Sequence, residues 1–465
     1  MSSRVLERIV MVHAVIFLTA TTWAFGGNAA WVQGPLAILG TVGAMLTLLL
    51  VFTGPSPAQG SYRAFSYLWP WLILNALVLA SCLTSGFREL RGDSQILYLP
   101  IRVAFWRPSA ARPLLALDAL WRFDGAYLSA LNIALAARRR RTLRLLVSAV
   151  VLNAVALAVF GTLQKLVHAN GIFFGRVPTP QPYFFASFIY RNHWGAYALM
   201  MTAACAGLTW HHLRRAPGEQ FRRTPVLAEM LGVLVLAATI PLSGSRACTL
   251  LLLILGAGAA AAALVAAVRV HRSQRIQIGS WVAGSILAGI AAWALIWAIA
   301  GDVISLRLRK TQEQIAVMRA QGDIGSRRIL YSDTLRMTRD RPLFGWGMDS
   351  YPYVFLLYNT QKPNSDRLPV VYHDAHTDWL QALAEHGYLG TAALFLCAWV
   401  PLRKLRGAAW RDPIPVFLLS GAALVAFYAA VEFPFGNGAV VLTWWIVVFT
   451  AIRFARLGTP TGAEP

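Results

Sequence analysis

Long apolar runs separated by short polar or basic segments dominate the chain. Each run is about the ~20 residues that a helix needs to cross the hydrocarbon core of a bilayer. Twelve such runs stand near residues 9–26, 31–53, 66–84, 114–136, 143–165, 187–209, 226–243, 247–267, 279–300, 377–400, 414–433 and 439–455. They predict an all-α polytopic membrane protein of about 12 transmembrane helices, with residues 1–465 as a single membrane domain. The run 114–136 carries Asp118, Arg122 and Asp124, and an interfacial helix is the alternative reading for it. Twelve spans place both termini on one side, with residues 457–465 as a short cytoplasmic tail.

The basic residues orient these runs. With the N-terminus inside, the clusters RRRR at 138–141, HHLRR…FRR at 211–223, RVHRSQR at 269–275 and RKLRGAAWR at 403–411 all fall on the inner side, as does RFAR at 453–456. The positive-inside bias requires this arrangement. One long segment, 301–375, then lies outside between spans nine and ten. It holds 11 Lys/Arg against 8 Asp/Glu, a net charge of 11 − 8 = +3. Its runs at 308–320 and 325–340 show helical spacing of apolar residues, and the second stops at Arg341-Pro342. A connection of this length is usually functional. The first apolar run lacks a small-residue cleavage site and reads as a retained anchor.

Composition agrees. The 465 residues carry a formal charge of +22, yet only 13% are charged and 57% are hydrophobic. Mean hydropathy is +0.54. These figures exclude a soluble domain, a disordered tail and a nucleic-acid binder, because most of the chain cannot form a solvated basic face. Cys82, Cys205, Cys248 and Cys397 lie in apolar stretches without a CxxC pair, so neither a disulfide framework nor structural zinc is expected.

Four places on the outer side carry candidate chemistry. Tyr190-Arg191-Asn192-His193-Trp194-Gly195 opens span six, where interfacial anchoring is the competing explanation. Ser243-Gly244-Ser245-Arg246 forms the turn between spans seven and eight, which holds an arginine at membrane depth, where it should face a polar cavity or else snorkel. Ser326-Arg327-Arg328 precedes Pro342-Leu343-Phe344-Gly345-Trp346-Gly347, and two adjacent arginines on a helix cannot both aim inward. His373-Asp374-Ala375-His376-Thr377-Asp378 runs on to Glu385-His386-Gly387-Tyr388-Leu389-Gly390 where the long loop re-enters the membrane. His376 is expected to open that helix, where a neutral imidazole could act as a general base or serve structurally. His373, Asp374, His376 and Asp378 could be read as metal ligands, but no second cluster completes a shell, and no metal or cofactor is expected. Glu432-Phe433-Pro434-Phe435 reads as an interfacial carboxylate before a proline turn, with orientation of a catalytic His or Arg as the alternative.

Taken in order, the RNHWG segment, the SGSRA segment, the SRR…PLFGWG loop and AHTDWLQALAEHGYLG resemble the bacterial O-antigen ligase family, which includes related O-antigen and exopolysaccharide polymerases. The resemblance spans roughly residues 140–400. Its most specific part is His376, Thr377, nine residues, Gly387, two residues and Gly390, with Thr377 where the family usually has Asn, Ser or Gln. The resemblance implies a helical membrane bundle of the C type of glycosyltransferases with a periplasmic site in a bacterial inner membrane. It implies a metal-independent, inverting transfer from a polyprenyl-diphosphate-linked glycan to lipid A–core or another glycan acceptor. It assigns His376 as general base and Arg246 and Arg327 as diphosphate ligands. Arg328 is the alternative to Arg327, and Arg191 and His193 match part of the family. A repeat-unit polymerase or a protein O-oligosaccharyltransferase would share this donor chemistry. A lipid-linked sugar transporter should instead carry ionisable groups at mid-membrane and inverted repeats.

Overall fold

A computed structural model describes residues 3–52, 57–91, 96–179, 184–215, 225–274, 326–361, 371–405, 410 and 412–457. The described chain is a helical bundle with a small cap at one end. The bundle helices are α1 (Ser3–Trp23), α2 (Ala30–Phe52), α3 (Pro57–Cys82), α4 (Pro113–Ala136), α5 (Arg140–Leu166), α6 (Arg191–Leu213), α7 (Val226–Ser243) and α8 (Arg246–Gln274). The cap helices α9 (Ser326–Asp340) and α10 (Tyr351–Val354) follow, and α11 (Asp378–Leu402), α12 (Pro413–Tyr428) and α13 (Gly438–Arg456) return to the bundle. A hairpin, β1 (Phe87–Arg91) with β2 (Ile96–Pro100), pairs antiparallel between α3 and α4, Phe87 opposite Pro100.

Eleven of the twelve expected spans correspond to bundle helices. The expected ninth, 279–300, and the helical run 308–320 lie outside the described residues. Seven described helices are long and apolar enough to cross a membrane. Three more, α4, α6 and α11, have 24, 23 and 25 residues but are more polar. Those three carry Asp124, His193 and Glu385, so hydropathy weakens where the bundle carries polar groups inside. Leu48, Leu72, Leu152, Leu231 and Leu250 are exposed, as expected of helices facing lipid. The chain is a multi-pass membrane protein.

The centre is built from helices that are buried on all sides. α6 is covered along nearly its whole length and α4 over most of its second half, where it packs inside the bundle. Small residues set these approaches. A Cβ at Gly125 would stand 2.8 Å from the Cα of Gly40, and one at Gly43 would meet the Ser129 hydroxyl, so α2 and α4 touch backbone to backbone. Beside this contact Asn132 donates to the Gly43 carbonyl at 2.7 Å and accepts from Thr47 at 2.8 Å.

Two expected spans are shorter than their apolar runs. The sixth starts at Arg191 because residues 185–188 form a turn closed by reciprocal Phe185 and Phe188 backbone hydrogen bonds. The eleventh ends at Tyr428, and the Asn437 side chain then starts α13 by accepting from the Val440 amide.

The cap is locked to the bundle through a break in α11. Gly387 has φ +62° and ψ −170°, which interrupts the helix and frees backbone groups on both sides of it. The Pro342–Gly347 segment takes them up. Tyr388 and Leu389 amides donate to the Pro342 and Leu343 carbonyls, while Trp346 and Gly347 amides donate to the Ala384 and Glu385 carbonyls. Gly345, at φ +68°, lies so close that a Cβ there would stand 2.4 Å from the Glu385 carbonyl carbon. The Ala111 amide donates to Trp346 at 2.7 Å, which ties the strand-bearing connection to the same lock.

The two ends of the bundle differ. At the capless end the Arg138 amide donates to Glu7, Arg140 pairs with Asp412 at 3.3 Å, and Arg453 donates to the Ala137 carbonyl. The start of α1, the end of α13 and part of the arginine clusters therefore share that end. The cap covers the other.

Candidate functional site

The cap end gathers the starts of α6, α8 and α11 and the turn after α12. Gly195 on α6 has the Cys248 sulfur and the Ser245 Cβ within 2.8 and 3.1 Å of where a side chain would begin. The first turn of α8, opened by Arg246, is thus packed on the first turns of α6, opened by Arg191. The start of α11 is stitched to the end of α12. The Asp378 amide donates to the Ala429 and Glu432 carbonyls at 2.9 and 3.2 Å, and the Trp379 indole donates to the Ala426 carbonyl. This stitching sets His376 beside Glu432.

His376 does not open the helix, as the spacing suggested. It stands two residues ahead of it, with Thr377 as the N-cap in extended conformation. Its φ of +53° is unusual for a non-glycine residue, and such conformations persist where the surroundings fix them. Here the fixing groups are the Tyr331 hydroxyl, which donates to the His376 carbonyl at 3.1 Å, and the neighbouring Asp378 amide bonds. The imidazole edge packs on the Phe433 ring, centroids 4.8 Å apart. Its Nδ1 faces Glu432 Oε2 at 3.6 Å. The side chain is 28% exposed, so Nε2 is the nitrogen left to face a ligand.

Glu432 is the centre of the cluster. It is buried, and it pairs with Arg327 through one oxygen while the other faces His376. Burial alone would raise its carboxyl, but the contacts with His376 and Arg327 outweigh burial and hold it below the usual glutamate range. Arg327 also donates to the Val431 carbonyl at 3.1 Å and keeps half of its side chain exposed. The neighbouring Arg328 is exposed as well, and of this adjacent pair it is Arg327 whose guanidinium meets the turn after α12. The expectation of a plain interfacial carboxylate at Glu432 is therefore corrected: the carboxylate is buried and shared between a guanidinium and an imidazole.

Phe433 ties in the first motif. Tyr190 stacks on it at 5.3 Å, and His193 meets it edge-on while donating from Nε2 to its carbonyl at 3.2 Å. His193 is buried and directed at backbone, which holds the 432–437 turn against α6. Burial pushes the Tyr190 phenol up to about 12, with Glu432 adding to this and the nearby Arg191 and Arg327 opposing it. Arg191 thus belongs to the same electrostatic neighbourhood. Arg246 is exposed at the start of α8. Its segment reaches this end through α6.

Asp374 and Asp378 flank His376 on the other side and line a cavity of about 680 Å³ between α1, α2, α4, α11 and α13. Burial pushes the Asp374 carboxyl up to about 6 against the opposing pull of His376 and His373. Among the described residues no group of three or more His, Cys, Asp or Glu is placed to hold a metal ion, and His373, Asp374, His376 and Asp378 do not form one.

Sequence reasoning undervalued Glu432 and passed over Tyr331 and Phe433. A signal for the first was available: an acid at the end of an apolar run is expensive unless it has partners. No curated protein matches the chain. A family model described as O-antigen ligase matches residues 231–396, a stretch that contains Arg246, Arg327, Arg328 and His376 and ends before Glu432. For this stretch of the chain the match supports the O-antigen ligase family, with its ligase and polymerase functions and glycosyltransferase-like activity.

Proposed function

We propose that the protein is a metal-independent, inverting glycosyltransferase of the O-antigen ligase type. It takes a glycan from a polyprenyl-diphosphate carrier and passes it to a lipid A–core hydroxyl. The site faces the periplasm of a bacterial inner membrane, and both termini lie in the cytoplasm. The observation that carries this reading is the meeting of Arg327, Glu432 and His376, contributed by the cap, by the turn after α12 and by the start of α11.

The chemistry divides among these groups. When the acceptor hydroxyl attacks the anomeric carbon, its proton passes to His376 Nε2. The glycosidic bond to the diphosphate breaks, and its electron pair leaves with the diphosphate. Attack opposite the leaving group inverts the anomeric centre. Glu432 faces His376 Nδ1, fixes the ring and stabilises the imidazolium that forms. The leaving diphosphate gathers negative charge, and guanidinium groups suit it because they stay charged and fork onto phosphate oxygens. Arg327 offers its exposed half, with Arg246 and Arg191 completing the basic rim, and such fixed cations can supply much of a rate enhancement.

The test is transfer by purified protein from a polyprenyl-diphosphate oligosaccharide, with lipid A–core or without acceptor. His376→Ala should lower transfer by roughly 10²–10⁴-fold. Normal transfer by that variant would remove the mechanism. A ladder of longer carrier-linked glycans without lipid A–core would make the protein a polymerase, and product on a Ser/Thr peptide would make it a protein glycosyltransferase.

A further inference from the structure

The cavity beside His376 has a chemistry opposite to that of the arginine side. α11 forms one of its walls and grades along its length. Its first two turns contribute Asp378, Gln381 and Glu385, and its last turns contribute Phe395, Trp399 and Leu402. Asp349 and Asp374 join the polar part, where Arg122 is the only Lys or Arg among the lining residues. Four carboxyl groups line it and its one guanidinium is already paired with Asp118 and Asp349, so it makes a poor place for a diphosphate.

The polar groups are not all used up by the protein. Glu385 accepts from the Asp349 and Tyr351 amides, and Asp349 pairs with Arg122 at 3.3 Å. Asp378 gives one oxygen to the Phe435 amide at 2.9 Å and leaves the other. Among the described residues neither the Asp374 carboxylate nor the His386 ring makes a hydrogen bond, and both line the cavity. Free acceptors beside aromatic rings suit a ligand that brings hydroxyl donors and C–H faces, which describes a neutral sugar. The apolar half suits an attached chain, and Trp399, 59% exposed, shows that this half reaches the lipid-facing surface.

We propose that this cavity is the acceptor subsite and that it takes an uncharged, hydroxyl-bearing sugar joined to an apolar chain. The inference rests on the glycosyltransferase reading. It places donor and acceptor on opposite sides of the 432–437 turn, with His376 between them. It also requires that the sugar entering the cavity is not phosphorylated, whatever the rest of the acceptor carries.

The experiment uses the full chain in nanodiscs and two probes, 8-bromooctyl glucoside and 8-bromooctyl phosphate, each read by quenching of tryptophan fluorescence. The glucoside should bind saturably and at least about tenfold more tightly than the phosphate. Ala382→Trp and Ala398→Trp, which fill the polar and apolar halves, should each weaken glucoside binding by about tenfold or more. Asp374→Asn, nearly isosteric, should narrow the gap between the probes. Equal binding of the phosphate would overturn the assignment, as would unchanged glucoside binding in both filled variants at wild-type thermal stability. Transfer assays separate the two levels. A wild type that moves no glycan from the carrier fails the underlying reading. A wild type that transfers, while both filled variants keep its acceptor KM, fails the cavity alone.

Discussion

Two buried glutamates stand at the cap end, and they are held in different ways. Glu432 has a guanidinium and an imidazole as partners, those of Arg327 and His376, drawn from separate segments. Glu385 has the Asp349 and Tyr351 amides and the Gln381 side chain, all neutral donors. Both are equally hidden, at 5% and 6% exposure, so burial does not distinguish them. The partners do. A carboxylate between a guanidinium and an imidazole sets the charge and orientation of groups that can act on a substrate. A carboxylate between backbone amides holds two chain segments together. The first should matter to rate and the second to the integrity of the cap.

The largest expected effect comes from removing the charge at the first. Glu432→Gln keeps the volume but withdraws the anion from Arg327 and His376. Transfer should fall by about tenfold or more in kcat, within the range for loss of an electrostatic contributor. The thermal midpoint should move little, because the exposed half of Arg327 can be solvated. A variant that lost stability in step with activity would make Glu432 a structural group and erase the contrast.

Glu385→Ala should do the reverse. It strands two amides at the cap, each costing about 1–3 kcal/mol when buried without a partner. The thermal midpoint should drop clearly, where that of Glu432→Gln stays nearly unchanged. Gly387→Ala acts on the same lock. Its Cβ would fall 2.4 Å from the Leu343 carbonyl carbon, at a φ of +62° that alanine resists. Destabilisation of at least ~1–3 kcal/mol is expected, read as enhanced proteolysis within the cap.

This contrast also explains what could be read from the sequence. The bundle helices follow from hydropathy because lipid-facing and buried positions are both apolar over ~20 residues. The arginines and His376 could be singled out because charged groups near the membrane need a reason to be there. The cap lock was not legible. Gly345 and Gly387 matter through a backbone contact between segments some forty residues apart, and no periodicity records which carbonyls a helix break will free. Glu432 lay in view but its partners did not. Its pairing with Arg327 depends on how the cap folds over the turn after α12, and that contact spans more than a hundred residues.

A third carboxylate sharpens the comparison, with the smallest expected effect. Asp374 has neither the guanidinium that pairs with Glu432 nor the amides that hold Glu385, and burial pushes it up to about 6 against the pull of His376 and His373. Between its unfolded value of about 3.9 and 6 the native state binds more protons than the unfolded state. Its contribution to stability is therefore fully present below that window and is lost as pH rises through it. Above pH 6 the wild type carries the cost of a buried charge that His376 and His373 offset only in part. Asp374→Asn never ionises, so it should raise the thermal midpoint relative to wild type at pH 7–8 and give no gain near pH 4. A gain that did not vary with pH would mean that the side chain acts through packing. A loss at neutral pH would mean that its charge is held by partners as firmly as that of Glu432.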